Sequence, residues 1–143
     1  MKFRILAIGK PKLTYAAAGV EEYRKRLRGH ARVEVEYLKE RHGPEELLTR
    51  SEGLYRIALD ERGEALTTDA MVSQVDRLEL RGEVKGVAFL IGGSDGHNEE
   101  LRQTCDRTWS LSALTLQHEL ALVVLLEQLY RAYTVKRGEP YHR

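Results

Sequence analysis

The chain has 143 residues, of which 42% are apolar and 31% charged, and its net charge is +1. That length holds one domain with a real core and leaves little room for a second, so residues 1–143 are expected to form a single domain. Cys105 is the lone cysteine, which excludes an internal disulfide and a cysteine-built zinc site and fits the reducing cytoplasm. No metal-ligand spacing is present. The N-terminal stretch MKFRILAIGKPK interrupts a short apolar run with a charge and does not read as a secretory signal. The longest apolar run, Leu120–Leu126, is seven residues against the roughly 20 that span a bilayer, so no membrane partner is expected.

Phe3–Ile8 is a short apolar run closed by Gly9 and Pro11, the pattern of a buried strand. Thr14 is placed to cap a helix whose Ala17, Val20 and Leu27 fall at helical spacing. Val33, Val35 and Tyr37 alternate with polar neighbours, a strand with one wetter face. Gly43-Pro44 opens a short helix, Leu54–Leu59 forms a third strand, and the polar DERGEAL stretch that follows is expected to be a loop. Thr67 or Thr68 caps a helix through Met71, Val75 and Leu78. Gly86–Ile91 is apolar throughout and should be a central strand. It runs into Gly92-Gly93-Ser94-Asp95-Gly96, after which Asn98 can cap a helix holding Leu101. Trp109–Leu116 reads as strand or strand plus loop, and Glu119 to about Val135 as a helix apolar around most of its circumference. Such a helix is buried in its own domain or against a second subunit. Strands alternating with helices imply an α/β fold with a mostly parallel sheet flanked by helices.

Charge is uneven along the chain. Residues 1–41 carry 11 Lys/Arg against 5 Glu, and Arg24, Lys25, Arg26, Arg28 and Arg32 supply much of the excess. That cluster is either a phosphate-holding patch or the solvated face of a helix. The glycine turn at Gly92 lies where parallel sheets bind ligands, but its G-G-x-x-G spacing fits neither a dinucleotide fingerprint nor a P-loop. In Trp109–His118 the hydroxyls of Ser110, Ser112 and Thr115 alternate with leucines, which suits a loop wrapped around a small polar ligand or a half-buried strand. Glu127 and Arg131 form an i,i+4 pair in an apolar helix, an unusual place for ions without a function. The closing Pro140-Tyr141-His142-Arg143 offers a stacking surface, a titratable imidazole and a cation.

In this order, KFRILAIGK from Lys2, IALD from Ile57, FLIGGSDG from Phe89, WSLSALTL from Trp109, His118, EQLYRA from Glu127 and RGEPYHR from Arg137 resemble the ribosomal RNA large subunit methyltransferase H family. That family belongs to the SPOUT class of trefoil-knotted methyltransferases, and the resemblance covers the whole chain. It implies a C-terminal trefoil knot, a homodimer, and transfer of a methyl group from S-adenosylmethionine to N3 of a pseudouridine in large-subunit ribosomal RNA within the ribosome. By matching position, the donor would meet Leu59, Gly92, Leu111, Ser112, Ala113, Leu114, Thr115 and Leu116. For the chemistry, the resemblance points to Arg131 and Arg143 as cations that stabilise an anionic base. It points to His142 as proton acceptor or orienter, Tyr141 as the residue that positions the base, and Glu127 as the group that holds Arg131. Glu119 and Leu122 stand where the family usually has Pro and Arg, and the segment between the second and third strands is shorter than is usual there. A SPOUT methyltransferase with another RNA target, and a catalytically silent RNA-binding module, remain open alternatives.

Overall fold

The computed structural model describes residues 1–142; Arg143 lies outside the described residues. Five strands form one wholly parallel sheet in the order β2-β1-β4-β3-β5. They are β1 (Lys2–Ile8), β2 (Arg32–Leu38), β3 (Tyr55–Ala65), β4 (Val87–Ile91) and β5 (Arg107–Ser110). Between and after them lie α1 (Thr14–Leu27), α2 (Gly43–Arg50), α3 (Thr68–Leu80), α4 (Glu99–Thr104) and α5 (His118–Lys136). The α/β reading with a parallel sheet flanked by helices is borne out.

Period-two alternation divides the core into two layers. Phe3, Ile5 and Ala7 of β1, Ile57 and Leu59 of β3, and Val87, Phe89 and Ile91 of β4 face α1, α3 and α5. Leu6, Ile8, Ala58, Ala88 and Leu90 face the opposite way, toward Leu47 of α2 and Leu101 of α4. Every residue of β4 is buried, as its unbroken apolar run predicts for a strand covered on both faces. Trp109 is fully buried against Phe89, with ring centroids 5.5 Å apart, and its indole N–H donates to Gln74 at 2.9 Å. Truncating it would cost about 3–5 kcal/mol.

Two local expectations change. DERGEAL is not a loop: β3 runs on through Ala65, and a bulge between Leu59 and Glu64 lets Glu64 and Ala65 pair again with Trp109 and Ser110. A polar surface strand gives no apolar signal, so the neighbour across the bulge supplies what the sequence does not display. Trp109–Leu116 is the strand plus loop that one of its two readings gave, strand through Ser110 and loop beyond it. Thr14 makes no capping bond, and Ala16 rather than Ala17 is buried. The Glu119 carboxylate works there instead, accepting from the backbone N–H groups of Lys12 (2.6 Å) and Leu13 (2.9 Å). These bonds hold it below the usual glutamate range, the Leu13 N–H contributing most. By contrast Thr67 and Asn98 cap α3 and α4 as their sequence positions indicate.

Candidate functional site

Because all strands are parallel, their carboxyl ends share one edge, where α/β proteins bind ligands. At the ends of β3, β4 and β5 a cleft of about 360 Å³ opens, a size suited to a nucleoside-like molecule. Its floor is the glycine turn. A Cβ on Gly92 would lie 2.9 Å from the backbone carbon and oxygen of Gly96, so only glycine fits there. Gly96 has φ +72°, and its N–H closes the turn on the Gly93 carbonyl at 3.0 Å.

Two groups hold the turn from below. The Asp60 side chain, only 2% exposed, accepts from Arg62 Nε at 2.9 Å, from the Arg62 N–H at 3.0 Å and from the His97 N–H at 3.2 Å. Burial alone would raise its pKa, but these bonds outweigh it and bring the carboxyl down to about 2. His97 is buried; its Nε2–H donates to the Leu90 carbonyl at 2.7 Å, and burial lowers its pKa so that it stays neutral. Arg62 and Arg102 both donate to the His97 carbonyl, at 3.1 and 2.5 Å. The turn is thus tied to β3 by charge-assisted bonds.

The outer wall is the loop after β5. Leu59, Gly92, Leu111, Ser112, Leu114, Thr115 and Leu116 all line the cleft, whereas Ala113 stands exposed in the same loop and is not among the lining residues. The hydroxyls build the loop itself. Ser110 donates to the Ser112 carbonyl (2.9 Å), Ser112 accepts from the Leu114 N–H (2.9 Å), and Thr115 donates to Glu61 across the cleft mouth (2.6 Å). From Leu111 to Leu116 this loop therefore offers a ligand mainly backbone and leucine.

The charged residues gather elsewhere. Glu127 pairs with Arg131 at 2.7 Å and accepts from the Tyr141 hydroxyl at 2.9 Å and Gln128 at 2.7 Å. Burial pushes its pKa up, and the bonds from Arg131, Tyr141 and Gln128 more than offset that, so it is lowered. The Arg131 guanidinium stacks 4.7 Å over the Tyr141 ring and reaches His142 Nδ1 at 3.2 Å. Arginine can only donate, so His142 Nδ1 is the acceptor in this contact and Nε2 is left without a role in it. Burial and the contacts to Tyr23 and Glu127 push the Tyr141 hydroxyl pKa up. Tyr141 and His142 are thus docked on α5. Four of the five expected chemical residues are brought together; the fifth, Arg143, lies outside the described residues.

Cleft and cluster do not meet within one chain. None of Glu127, Arg131, Tyr141 and His142 lines the cleft, whose share of α5 is His118 and Ala121. At 1.5 Å per residue, Glu127 lies roughly 13 Å further along the helix than His118. Sequence reasoning singled out neither Asp60 nor His97 as site residues. Asp60 at the end of an apolar run was the available signal; the role of His97 depends on a turn that only the fold defines.

The fold defines a class. A tRNA (m1G37) methyltransferase from Aquifex aeolicus superposes with TM-score 0.61 at 13% identity, covering 100% of this chain and 75% of that one. A SpoU methyltransferase from Streptomyces viridochromogenes, solved in complex with AdoMet, gives TM-score 0.52 at 17% identity over 90% of this chain and 56% of that one. The family model described as predicted SPOUT methyltransferase matches residues 1–142, and the chain belongs to that family. Among its relatives, the ribosomal RNA large subunit methyltransferase H of Thermus thermophilus is 48% identical over 143 residues, spanning 100% of this chain and 99% of that protein. The protein of the same name from Deinococcus deserti is 43% identical over 150 residues, covering both chains fully.

Proposed function

We propose that this methyltransferase takes a methyl group from S-adenosylmethionine and places it on N3 of a pseudouridine in large-subunit ribosomal RNA, acting in the cytoplasm on the ribosome as a homodimer with a C-terminal trefoil knot. One observation carries the reading: the glycine-floored cleft lies in a chain 48% identical, end to end, to a protein named ribosomal RNA large subunit methyltransferase H. The donor fits the residues present. Leucines 59, 111 and 116 offer apolar walls, Gly92 leaves room for close approach, and no P-loop lysine or G-x-G-x-x-G turn is there to demand a phosphate.

When bound, the donor supplies an electrophilic methyl on a sulfonium. The chain must then orient the base and stabilise the negative charge that develops as N3 loses its proton to solvent water. Arg131, held rigid by Glu127, is the cation for that charge, and Tyr141 supplies the face against which the base is positioned. His142, with Nδ1 engaged by Arg131, acts as orienter in this arrangement; to accept a proton at Nδ1 it would have to leave Arg131. Since cleft and cluster are apart in one chain, the tail of one protomer serves the cleft of its partner. Half-buried Ala121 and Val124 on α5 and the exposed Leu114 at the cleft mouth give apolar surface for that pairing.

Mass spectrometry of ribosomal RNA from a strain lacking the gene tests the target. The expected result is loss of one methyl group at a large-subunit pseudouridine, restored by the wild-type gene and not by Arg131→Ala. An unchanged methylation pattern would sink the assignment.

A further inference from the structure

The sheet edge that carries the cleft also carries a row of cations that the sequence reading did not single out. Next to the cleft, β1 is followed by Gly9-Lys10-Pro11-Lys12, and beyond it β2 is followed by Lys39-Glu40-Arg41-His42. The two segments touch: the Gly9 N–H donates to the Leu38 carbonyl at 2.7 Å, and a Cβ on Gly9 would meet Glu40 Oε1 at 3.7 Å. The β1 end also borders the glycine turn, since a Cβ on Gly93 would meet Ile8 at 3.6 Å. Lys10, Lys12, Lys39 and Arg41 are all exposed, and none forms an ion pair among the described residues. Glu40 is the only carboxylate within the two segments.

The basic cluster of α1 is largely neutralised, with only Lys25 and Arg28 forming no ion pair among the described residues. Arg24 and Arg26 pair with Glu21 and Glu22 of their own helix, and Arg32 pairs with Glu34. Cations already neutralised release few counterions when they meet phosphate, whereas unpaired ones contribute in full.

We infer that Lys10, Lys12, Lys39 and Arg41 form a ledge that docks the phosphate backbone of the RNA beside the cleft. The inference rests on the proposed RNA methylation and adds the surface that presents the substrate. Glu119 is its positioning residue. Its carboxylate, at the first turn of α5 beside the cleft-lining Gln117 and His118, pins the backbone of Lys12 and Leu13, and so fixes the β1 segment against the cleft wall. The residue that departs from the family's proline thereby has a structural task. Lysine and arginine at the ledge would read charge and spacing, not sequence, which suits a particle whose single target is chosen by shape.

The test is charge reversal at two places. Lys39→Glu/Arg41→Glu on the ledge and Arg24→Glu/Arg26→Glu on α1 are compared with wild type for affinity to large ribosomal subunits across a salt series. Affinity for a protein-free fragment of the same RNA, and calorimetric affinity for S-adenosylmethionine, are measured beside it. The ledge variant should lose about tenfold or more in subunit and fragment affinity, with the salt slope reduced by roughly one per cation removed, while donor affinity holds. The α1 variant should lose less than about threefold, as expected for cations screened by their own carboxylates. Equal losses in both variants, or loss in the α1 variant alone, would overturn the ledge. Loss on whole subunits with unchanged fragment binding would make the partner a ribosomal protein and refute the RNA contact. If wild type binds the donor but neither subunit nor fragment, the ledge and the RNA target fall together; if it fails to bind the donor, the cleft reading itself is wrong.

Discussion

The cleft and the tail cluster are built in opposite ways. The cleft is made of backbone: a glycine turn, a hydroxyl-tied loop, and two buried anchors, Asp60 and His97, that fix the turn before any ligand arrives. The cluster is made of side chains standing on one face of α5, with Tyr141 and His142 laid over them from the tail. The first holds a molecule of fixed shape at low entropic cost; the second places a cation, a ring and an imidazole where charge must change hands. One chain owns both halves without joining them.

The strongest way to break this comparison is to divide it between subunits. Arg131→Ala and Gly92→Val should each reduce turnover by about two orders of magnitude or more. Mixed in equal amounts and allowed to exchange, they should recover roughly a quarter of wild-type activity, because only mixed dimers then hold one intact cleft facing one intact tail. No recovery despite proven exchange would mean that each chain completes its own site.

A smaller effect separates binding from chemistry. Gly92→Ala places a Cβ 2.9 Å from the Gly96 backbone, and donor affinity should fall on the order of tenfold or more as the turn shifts. His142→Ala should leave donor affinity unchanged by calorimetry while reducing turnover. If both variants weakened donor binding alike, the two regions would not be separable.

The smallest effect probes the anchor. Asp60 has a folded-state pKa of about 2 against a usual 3.8. A lowered carboxyl pKa contributes stability that is present above about pH 4 and is lost as pH falls toward 2. Asp60→Asn should therefore cost about 1–3 kcal/mol at pH 7 in denaturant unfolding, and the gap from wild type should close in acid. A gap that stayed constant to pH 2 would assign the cost to packing instead of charge.

Much of this was legible in the sequence, and the boundary is physical. Val87–Ile91 announces itself because a strand covered on both faces has nowhere to put a polar residue. Glu127 and Arg131 could be paired from their spacing alone, since a helix brings i and i+4 together. Glu61–Ala65 could not be seen as strand, because its pairing comes from β5 across a bulge. The Arg24 and Arg26 pairs with Glu21 and Glu22 were available from helical spacing and would have lowered the weight of that basic cluster. The ledge could not be found this way, because Lys10 and Arg41 become neighbours only through strand order. Glu119, standing where the family usually has Pro, has partners too remote in sequence to be read from it.

The parallel sheet also governs when the protein can become itself. Phe3 must wait for Val87 to gain its inner strand neighbour, and Lys12 waits for Glu119, 107 residues later. Pairings of such long range form slowly and cannot close while the later residues are still being synthesised. The N-terminal half is therefore expected to leave the ribosome with the β4 side of β1 uncovered, and folding to be completed only once α5 is released. Truncation before α5 is expected to yield an aggregating fragment, not a smaller working domain.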